Sequence, residues 1–161
     1  MIAKLSKYKD IPQASIFLSG SKSESNRLLV LQALYPDIEI ANIASCDDTT
    51  VLQKALASQE DMLDIHHAGT AMRFLTAYLA ATTQKEITLT GSPLMLQRPI
   101  GPLVAALRGM GAAITYTGKQ GYPPLKIAPA ALSGNVTIDA SVSSQYISAL
   151  ALIGPYLKKG L

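Results

Sequence analysis

The sequence predicts an α/β (α+β) fold built from repeated strand–helix units, and three observations support this class. Short β-forming segments alternate with helical segments along most of the 161 residues. Hydrophobic residues make up 48% of the chain, which is enough for one packed domain with a core. Two predicted helices, around Leu28–Leu34 and Ile147–Ile153, are apolar nearly all round, which indicates helices buried inside the domain.

Five helices are predicted from apolar periodicity and from the residues that begin and end them. The first ends at Tyr35, because Pro36 cannot continue a helix. The second is capped by Asp47 or Asp48. The predicted helices span residues 25–35, 47–57, 69–82, 100–108 and 143–153.

Seven strands are predicted between these helices, from short runs of apolar and β-branched residues. They span residues 15–18, 39–42, 62–66, 86–90, 113–116, 125–128 and 136–139. The sequence identity between successive units is too low to prove an internal duplication.

The composition restricts the class of protein and of ligand. Only 16% of the residues are charged, against about 25% in an ordinary soluble domain, so we expect part of the surface to be covered by another domain or by a second copy. No run approaches the roughly 20 apolar residues of a membrane span. The single cysteine, Cys46, excludes an internal disulfide and is typical of the reducing cytoplasm, where we expect the protein to act. The net charge of +3 comes from scattered basic residues, which favours small anionic ligands over nucleic acid.

The polar residues that carry chemistry are concentrated at the starts of three predicted helices. These starts are Gly20–Arg27, His67–Arg73 and Ser141–Gln145. Free N–H groups and a partial positive charge make a helix N-terminus a good site for phosphate or carboxylate. The starts also carry full positive charges on Lys22, Arg27 and Arg73. The sequence therefore predicts an anion-binding site where these helices begin.

Simpler interpretations exist for each of these residues. Serine and threonine at helix starts are most often caps. The Gly20-Ser21-Lys22-Ser23 segment lacks the glycine spacing of a P-loop. The adjacent His66 and His67 would point to opposite faces of a strand, so no metal site is expected.

Five motifs of this chain together resemble those of the EPSP synthase (3-phosphoshikimate 1-carboxyvinyltransferase) family, in the same order and at similar spacings. The motifs are Gly20-Ser21-Lys22-Ser23 with Asn26-Arg27, Ala68–Arg73, Arg98-Pro99-Ile100-Gly101, Tyr122-Pro123-Pro124-Leu125 and Ser143-Ser144-Gln145. The resemblance implies two similar lobes made of βαβαββ units around buried helices, whose N-termini face a cleft between the lobes. Residues 1–161 would then be an incomplete first lobe, with residues 1–14 packing toward a second lobe that this chain does not contain.

The resemblance also implies a reaction and its site residues. The enolpyruvyl group of phosphoenolpyruvate is transferred to the 5-hydroxyl of shikimate 3-phosphate, with loss of phosphate. Lys22 would be catalytic, through proton transfer, and Thr70 and Arg73 would support the site. Shikimate 3-phosphate would contact Lys22, Ser23, Arg27, Ser143, Ser144 and Gln145. Phosphoenolpyruvate would contact Lys22, Gly69, Arg98 and Gln145. No cofactor or metal is implied, and the partners are these two small molecules and the second lobe.

Two other functions remain open alongside this one. A relative with the same fold uses UDP-N-acetylglucosamine as acceptor and carries a reactive cysteine before its Arg-Pro; here the loop 91–97 has no cysteine, which favours the shikimate branch. A non-catalytic module that binds a phosphorylated metabolite is the second alternative. We expect residues 1–161 alone to be inactive, because the acidic base belongs to the second lobe. His67 stands where the family usually has asparagine, next to the donor site.

Overall fold

The computed structural model describes residues 2–4, 6–7, 13–139, 141 and 143–161. Within these residues the chain forms five α-helices, four β-strands and two short 3-10 helices. The helices are α1 (Lys22–Leu34), α2 (Asp47–Ala57), α3 (Gly69–Thr82), α4 (Gly101–Gly109) and α5 (Ser144–Ile153). The strands are β1 (Met62–Asp64), β2 (Ile87–Thr90), β3 (Ala113–Tyr116) and β4 (Leu125–Ala128). The 3-10 helices are Met95–Gln97 and Gly154–Tyr156.

The four strands form one mixed sheet in the order β1-β2-β4-β3. Strands β1 and β2 are parallel, with Leu63 opposite Leu89, while β4 runs antiparallel to both β2 and β3. Helix α3 connects β1 to β2, and α4 connects β2 to β3. The run from β1 to β4 is therefore one βαβαββ unit, the unit that the family resemblance implies.

Helix α3 is the central helix of the described chain. It packs against the other four helices and against β2 and β4. Nine of its fourteen residues are buried, among them Phe74 and Leu75. The sequence favoured α1 and α5 as the buried helices, yet Leu28 on α1 and Ile147 on α5 are each about two-fifths exposed. Helix α5 packs mainly on α3, and α1 packs on both α2 and α3, so each helix keeps part of its surface exposed.

Three predicted strands are wrong. Residues 15–18, 39–42 and 136–139 are not in strands, and none of them pairs with the sheet. A strand needs a neighbour for its backbone hydrogen bonds, and the side chain of Phe17 is 99% exposed instead of packed on a partner. Asn42 adopts a left-handed φ of 51°, which breaks an extended backbone. Residues 135–139 and α4 line the two sides of a surface pocket. Strand β1 also ends earlier than predicted, because His66 takes a φ of 49°.

Candidate anion-binding active site

All five helices begin around one open cavity of about 500 Å³. Eight of its nine lining residues belong to the first turn or two of a helix or lie just before one, and the ninth, Arg98, precedes α4 by three residues. The lining residues are Lys22, Asp48, His67, Gly69, Thr70, Arg73, Arg98, Ser143 and Gln145. The helix starts that the sequence analysis singled out therefore do meet in space.

Helices α1 and α2 contribute an ion pair to this cavity. Lys22 is the first residue of α1, after Ser21, whose side chain accepts a hydrogen bond from Glu24 N at 3.5 Å. The ammonium Nζ of Lys22 lies 3.5 Å from Oδ1 of Asp48, which is at the start of α2. Half of the Lys22 side chain is exposed. An incoming anion can therefore reach this ammonium and compete with the carboxylate for it.

Helix α3 presents its first turn to the cavity without a side-chain cap. The first amide groups of a helix have no partner within it, so an uncapped turn that faces a cavity offers donors to a ligand. Arg73 lies one turn further on and folds back, so that its Nη1 donates to Gly69 O at 2.7 Å. Its Nε is buried and has no hydrogen-bond partner among the described residues.

Arg98 enters the cavity from the segment before α4. Its amide donates to Met95 O at 2.9 Å, which ends the 3-10 helix at residues 95–97. Its guanidinium packs on Gly69: a methyl group placed there would lie 2.7 Å from Arg98 Nη1 and 3.0 Å from Arg73 Nη1. Only glycine lets both arginines come this close to the start of α3.

Helix α5 adds neutral polar groups. Ser143 caps it, its hydroxyl accepting from Gln145 N at 3.2 Å, as its position in the sequence suggested. The amide Nε2 of Gln145 donates to the hydroxyl of Thr70 at 3.3 Å. This contact joins the starts of α3 and α5.

The charges of the cavity favour an anionic ligand. Lys22, Arg73 and Arg98 bring three positive charges, and Asp48 brings one negative charge. Among the described residues no carboxylate forms an ion pair with either arginine. Two neighbouring guanidinium groups without a counter-ion repel each other, and a phosphate or carboxylate placed between them removes that repulsion. The cavity therefore suits a ligand with two or more negative charges.

Three residues predicted to contact substrate do not line this cavity. Ser23 and Ser144 are exposed on the first turns of α1 and α5. Arg27 donates to Ser23 O at 2.7 Å and to the hydroxyl of Ser148 at 3.3 Å, and it lies 5.7 Å from the centre of the Phe74 ring. Their role in binding stays a prediction.

The sequence analysis did not assign Asp48 or Tyr146 to the site. Asp48 was interpreted only as a cap, and no local signal in the sequence places it beside Lys22, on another helix. Tyr146 looked like an ordinary core residue of an apolar helix. Among the described residues there is no cluster of three or more metal-ligating side chains, and none of their helices is long and apolar enough to cross a membrane.

Comparison with known proteins identifies the family. The family model described as EPSP synthase (3-phosphoshikimate 1-carboxyvinyltransferase) matches residues 51–161, more than half of the chain. The chain belongs to the EPSP synthase family. A curated member from Bacteroides fragilis is 52% identical over 151 residues, which cover 92% of this chain and 37% of the relative. A member from Methanoculleus marisnigri is 41% identical over 121 residues, covering 75% of this chain and 27% of the relative.

Solved structures show the same fold. Two structures of EPSP synthase from Acinetobacter baumannii superimpose with TM-scores of 0.72 and 0.73, at 22% and 23% sequence identity. The match covers 88% of this chain and 38% of each solved chain. The chain thus spans less than two-fifths of the length of these members of the EPSP synthase family.

Proposed function

We propose that this chain is part of an enzyme that transfers the enolpyruvyl group of phosphoenolpyruvate to the 5-hydroxyl of shikimate 3-phosphate. The supporting observation is the cavity, in which Lys22, Arg73 and Arg98 lie beside the starts of several helices, including the uncapped start of α3. Phosphoenolpyruvate carries a phosphate and a carboxylate, and shikimate 3-phosphate carries the same two groups. A site with several convergent cations and backbone donors suits both molecules.

The chemistry proceeds by addition followed by elimination. The 5-hydroxyl oxygen gives its proton to the acidic base of the second lobe and attacks C2 of phosphoenolpyruvate, while the π bond between C2 and C3 breaks and C3 gains a proton, which forms a tetrahedral intermediate. The intermediate then loses inorganic phosphate and one proton from C3, so that the vinyl double bond is restored in the product. Both steps bring several negative charges close together. Cationic side chains and N–H groups that are already in position stabilise these charges without having to rearrange.

In the proposal, several cavity residues take the roles that the family resemblance implies. Arg98 and the start of α3 at Gly69 hold the donor, and Gln145 contacts both substrates. In this proposal Lys22 contacts both substrates and takes part in proton transfer, with Asp48 as its ion-pair partner at 3.5 Å. Thr70 fixes the Gln145 amide through their 3.3 Å hydrogen bond.

In the proposal, shikimate 3-phosphate is bound by residues in and beside the cavity. Ser143 lines the cavity, and Ser144 and Ser23 are exposed beside it. Arg27 would exchange its contact with Ser148 for the phosphate of the substrate. These four residues complete the acceptor site in the proposal.

Residues 1–161 form part of the first lobe in this proposal, and the acidic base and further cations come from a second lobe. Coverage of 37% of a curated relative and the open cavity support this arrangement. The exposed apolar side chains of Ile16, Phe17 and Leu18 also suit contact with further polypeptide. The predicted contact of residues 1–14 with the second lobe involves residues 1, 5 and 8–12, which lie outside the described residues. We place the enzyme in the cytoplasm, in keeping with its single cysteine.

The test is an assay of the intact gene product with both substrates, following release of inorganic phosphate. Turnover that requires both substrates is expected. Arg98→Gln is expected to raise KM for phosphoenolpyruvate by about 10- to 100-fold, because a hydrogen-bonded charge contributes about 1.5 to 3 kcal/mol. Lys22→Gln is expected to lower kcat as well.

The matched control is Lys126→Gln, which removes an exposed cation that pairs with Glu86 on the sheet, away from the cavity. It should leave both KM values unchanged. Binding of both substrates without any turnover by the intact product would contradict the proposed enzyme and favour a binding module. If the intact product binds neither substrate, the proposal is wrong.

A further inference from the structure

Tyr146 lies where three segments of the cavity meet: the start of α3, the approach to α4 and the first turn of α5. Its side chain is 1% exposed. We infer that Tyr146 is a positioning residue for the donor half of the site, acting on Arg98 through its hydroxyl and on Arg73 through its ring. The inference rests on the proposed function and deepens it, because it assigns the residue that orients the arginines toward phosphoenolpyruvate.

The hydroxyl holds the backbone beside Arg98. Tyr146 Oη donates to Pro99 O at 2.7 Å. On the other side of this segment, Ile100 N and Gly101 N donate to Gly121 O at 2.9 and 3.1 Å. The segment is thus held from two sides. Arg98 itself has a backbone bond to Met95 O at 2.9 Å, and the Tyr146 hydroxyl adds the side-chain bond at the next residue, Pro99. Without the hydroxyl, the Pro99 carbonyl loses its side-chain donor and the segment is free to shift.

The ring holds Arg73. The Cζ atom of the Arg73 guanidinium lies 5.6 Å from the ring centre, within the range of a cation–π contact. Such a contact is stronger away from water, and the Nε of this guanidinium is buried without a hydrogen-bond partner among the described residues. The aromatic face therefore stabilises a cation that no carboxylate neutralises. The same guanidinium donates to the carbonyl oxygen of Gly69, and the Arg98 guanidinium packs beside the α-carbon of that residue.

The effect should be confined to the donor half of the site. Gln145, the neighbour of Tyr146, reaches Thr70 through its own amide, and the Ser143 cap does not use the Tyr146 hydroxyl. Loss of the hydroxyl alone should therefore misplace Arg98 and leave the residues assigned to shikimate 3-phosphate in position. A purely structural residue would weaken both halves together.

The experiment compares Tyr146→Phe with the unchanged intact gene product. Calorimetric titrations give Kd for phosphoenolpyruvate, shikimate 3-phosphate and inorganic phosphate, and steady-state rates give both KM values. Tyr116→Phe is the matched control, because that ring also lies over an arginine, Arg108 at 4.9 Å, but on β3, outside the cavity. Thermal unfolding of all three proteins shows whether they are equally folded.

We expect Tyr146→Phe to raise Kd and KM for phosphoenolpyruvate roughly tenfold, as for the loss of one hydrogen bond at an anion site, and those for shikimate 3-phosphate less than twofold. Values for phosphoenolpyruvate equal to those of Tyr116→Phe would overturn the inference, and so would equal losses for both substrates. If the unchanged protein binds inorganic phosphate but neither substrate, the proposed function fails. The inference then stands or falls on whether Tyr146→Phe weakens phosphate binding. If the unchanged protein binds no anion, both are overturned.

Discussion

A single methyl group added at Gly69 tests the geometry of the cavity most directly. Gly69 is the first residue of α3, and its backbone is not in the left-handed region, so Gly69→Ala does not strain the main chain. The new Cβ would lie 2.7 Å from Arg98 Nη1 and 3.0 Å from Arg73 Nη1. Ordinary contacts begin at 3.4 Å, so the Arg98 guanidinium must retreat by about 0.7 Å, the difference between 3.4 and 2.7 Å.

The consequences for folding and for binding have opposite signs. The atoms that must move are the ends of two flexible side chains, so the folded state loses little. Replacing glycine by alanine also reduces the entropy of the unfolded chain, which stabilises the protein by about 0.4 to 1 kcal/mol. A guanidinium that binds phosphoenolpyruvate contributes about 1.5 to 3 kcal/mol to the free energy of binding. We therefore expect KM for phosphoenolpyruvate to rise by about 10- to 100-fold.

The assay measures both KM values, kcat and the thermal midpoint of the intact gene product. Gly109→Ala is the matched control: it is also a helical glycine, at the end of α4, and its added Cβ would meet nothing within 4 Å. Both variants should unfold at or above the midpoint of the unchanged protein. Only Gly69→Ala should lose affinity for phosphoenolpyruvate.

Two results would refute this reasoning. A KM for phosphoenolpyruvate within twofold of the Gly109→Ala value would mean that the two arginines do not depend on the open space at Gly69. A lower thermal midpoint, with parallel losses for both substrates, would mean that the glycine is needed for folding instead of for the approach of the arginines.

Two further predictions concern groups outside the cavity. Ser25→Ala should lower the free energy of unfolding by about 1 to 3 kcal/mol in urea titrations, because the buried hydroxyl accepts from Ala44 N at 2.9 Å and its loss leaves that amide unpaired. The control is the partly buried Ser58, whose hydroxyl accepts a solvent-exposed hydrogen bond from Glu60 N. Ser58→Ala should cost less than about 0.5 kcal/mol, and equal costs would contradict the account. Burial raises the pKa of Tyr116 above its ordinary 10.0, although Arg108 lowers it in part. The folded state therefore holds the phenol proton more tightly than the unfolded chain, and this stability is present below pH 10 and lost as the pH rises through the raised value. Urea titrations between pH 9 and pH 11 should show a steeper fall for the unchanged protein than for Tyr116→Phe, and parallel curves would count against the shift.

The helices were predicted well because their signals are local. The bounds of α3, residues 69–82, agree with the prediction, and α2 and α5 agree within a residue. Glycine, proline and capping residues act within one turn of the helix they bound, so nearby sequence carries the information. The family motifs were also visible in the sequence, and they led to the family that the comparisons show.

The three wrong strand predictions failed because strand formation requires a pairing partner, which can come from a distant part of the sequence. Residues 15–18 have the composition of a strand as much as β2 does, but only β2 has neighbours on both sides. Composition predicts that a segment can extend, and pairing decides whether it becomes a strand.

The sequence by itself determined the helices, the family and the polar helix starts, since each depends on residues close together in the chain. Tertiary structure decided which of the charged residues share the cavity. It placed Asp48 against Lys22, turned Arg27 toward Ser148, and set Tyr146 between the Arg73 guanidinium and the Pro99 carbonyl. The direction of a side chain is set by what packs around it, and those neighbours come from distant parts of the sequence.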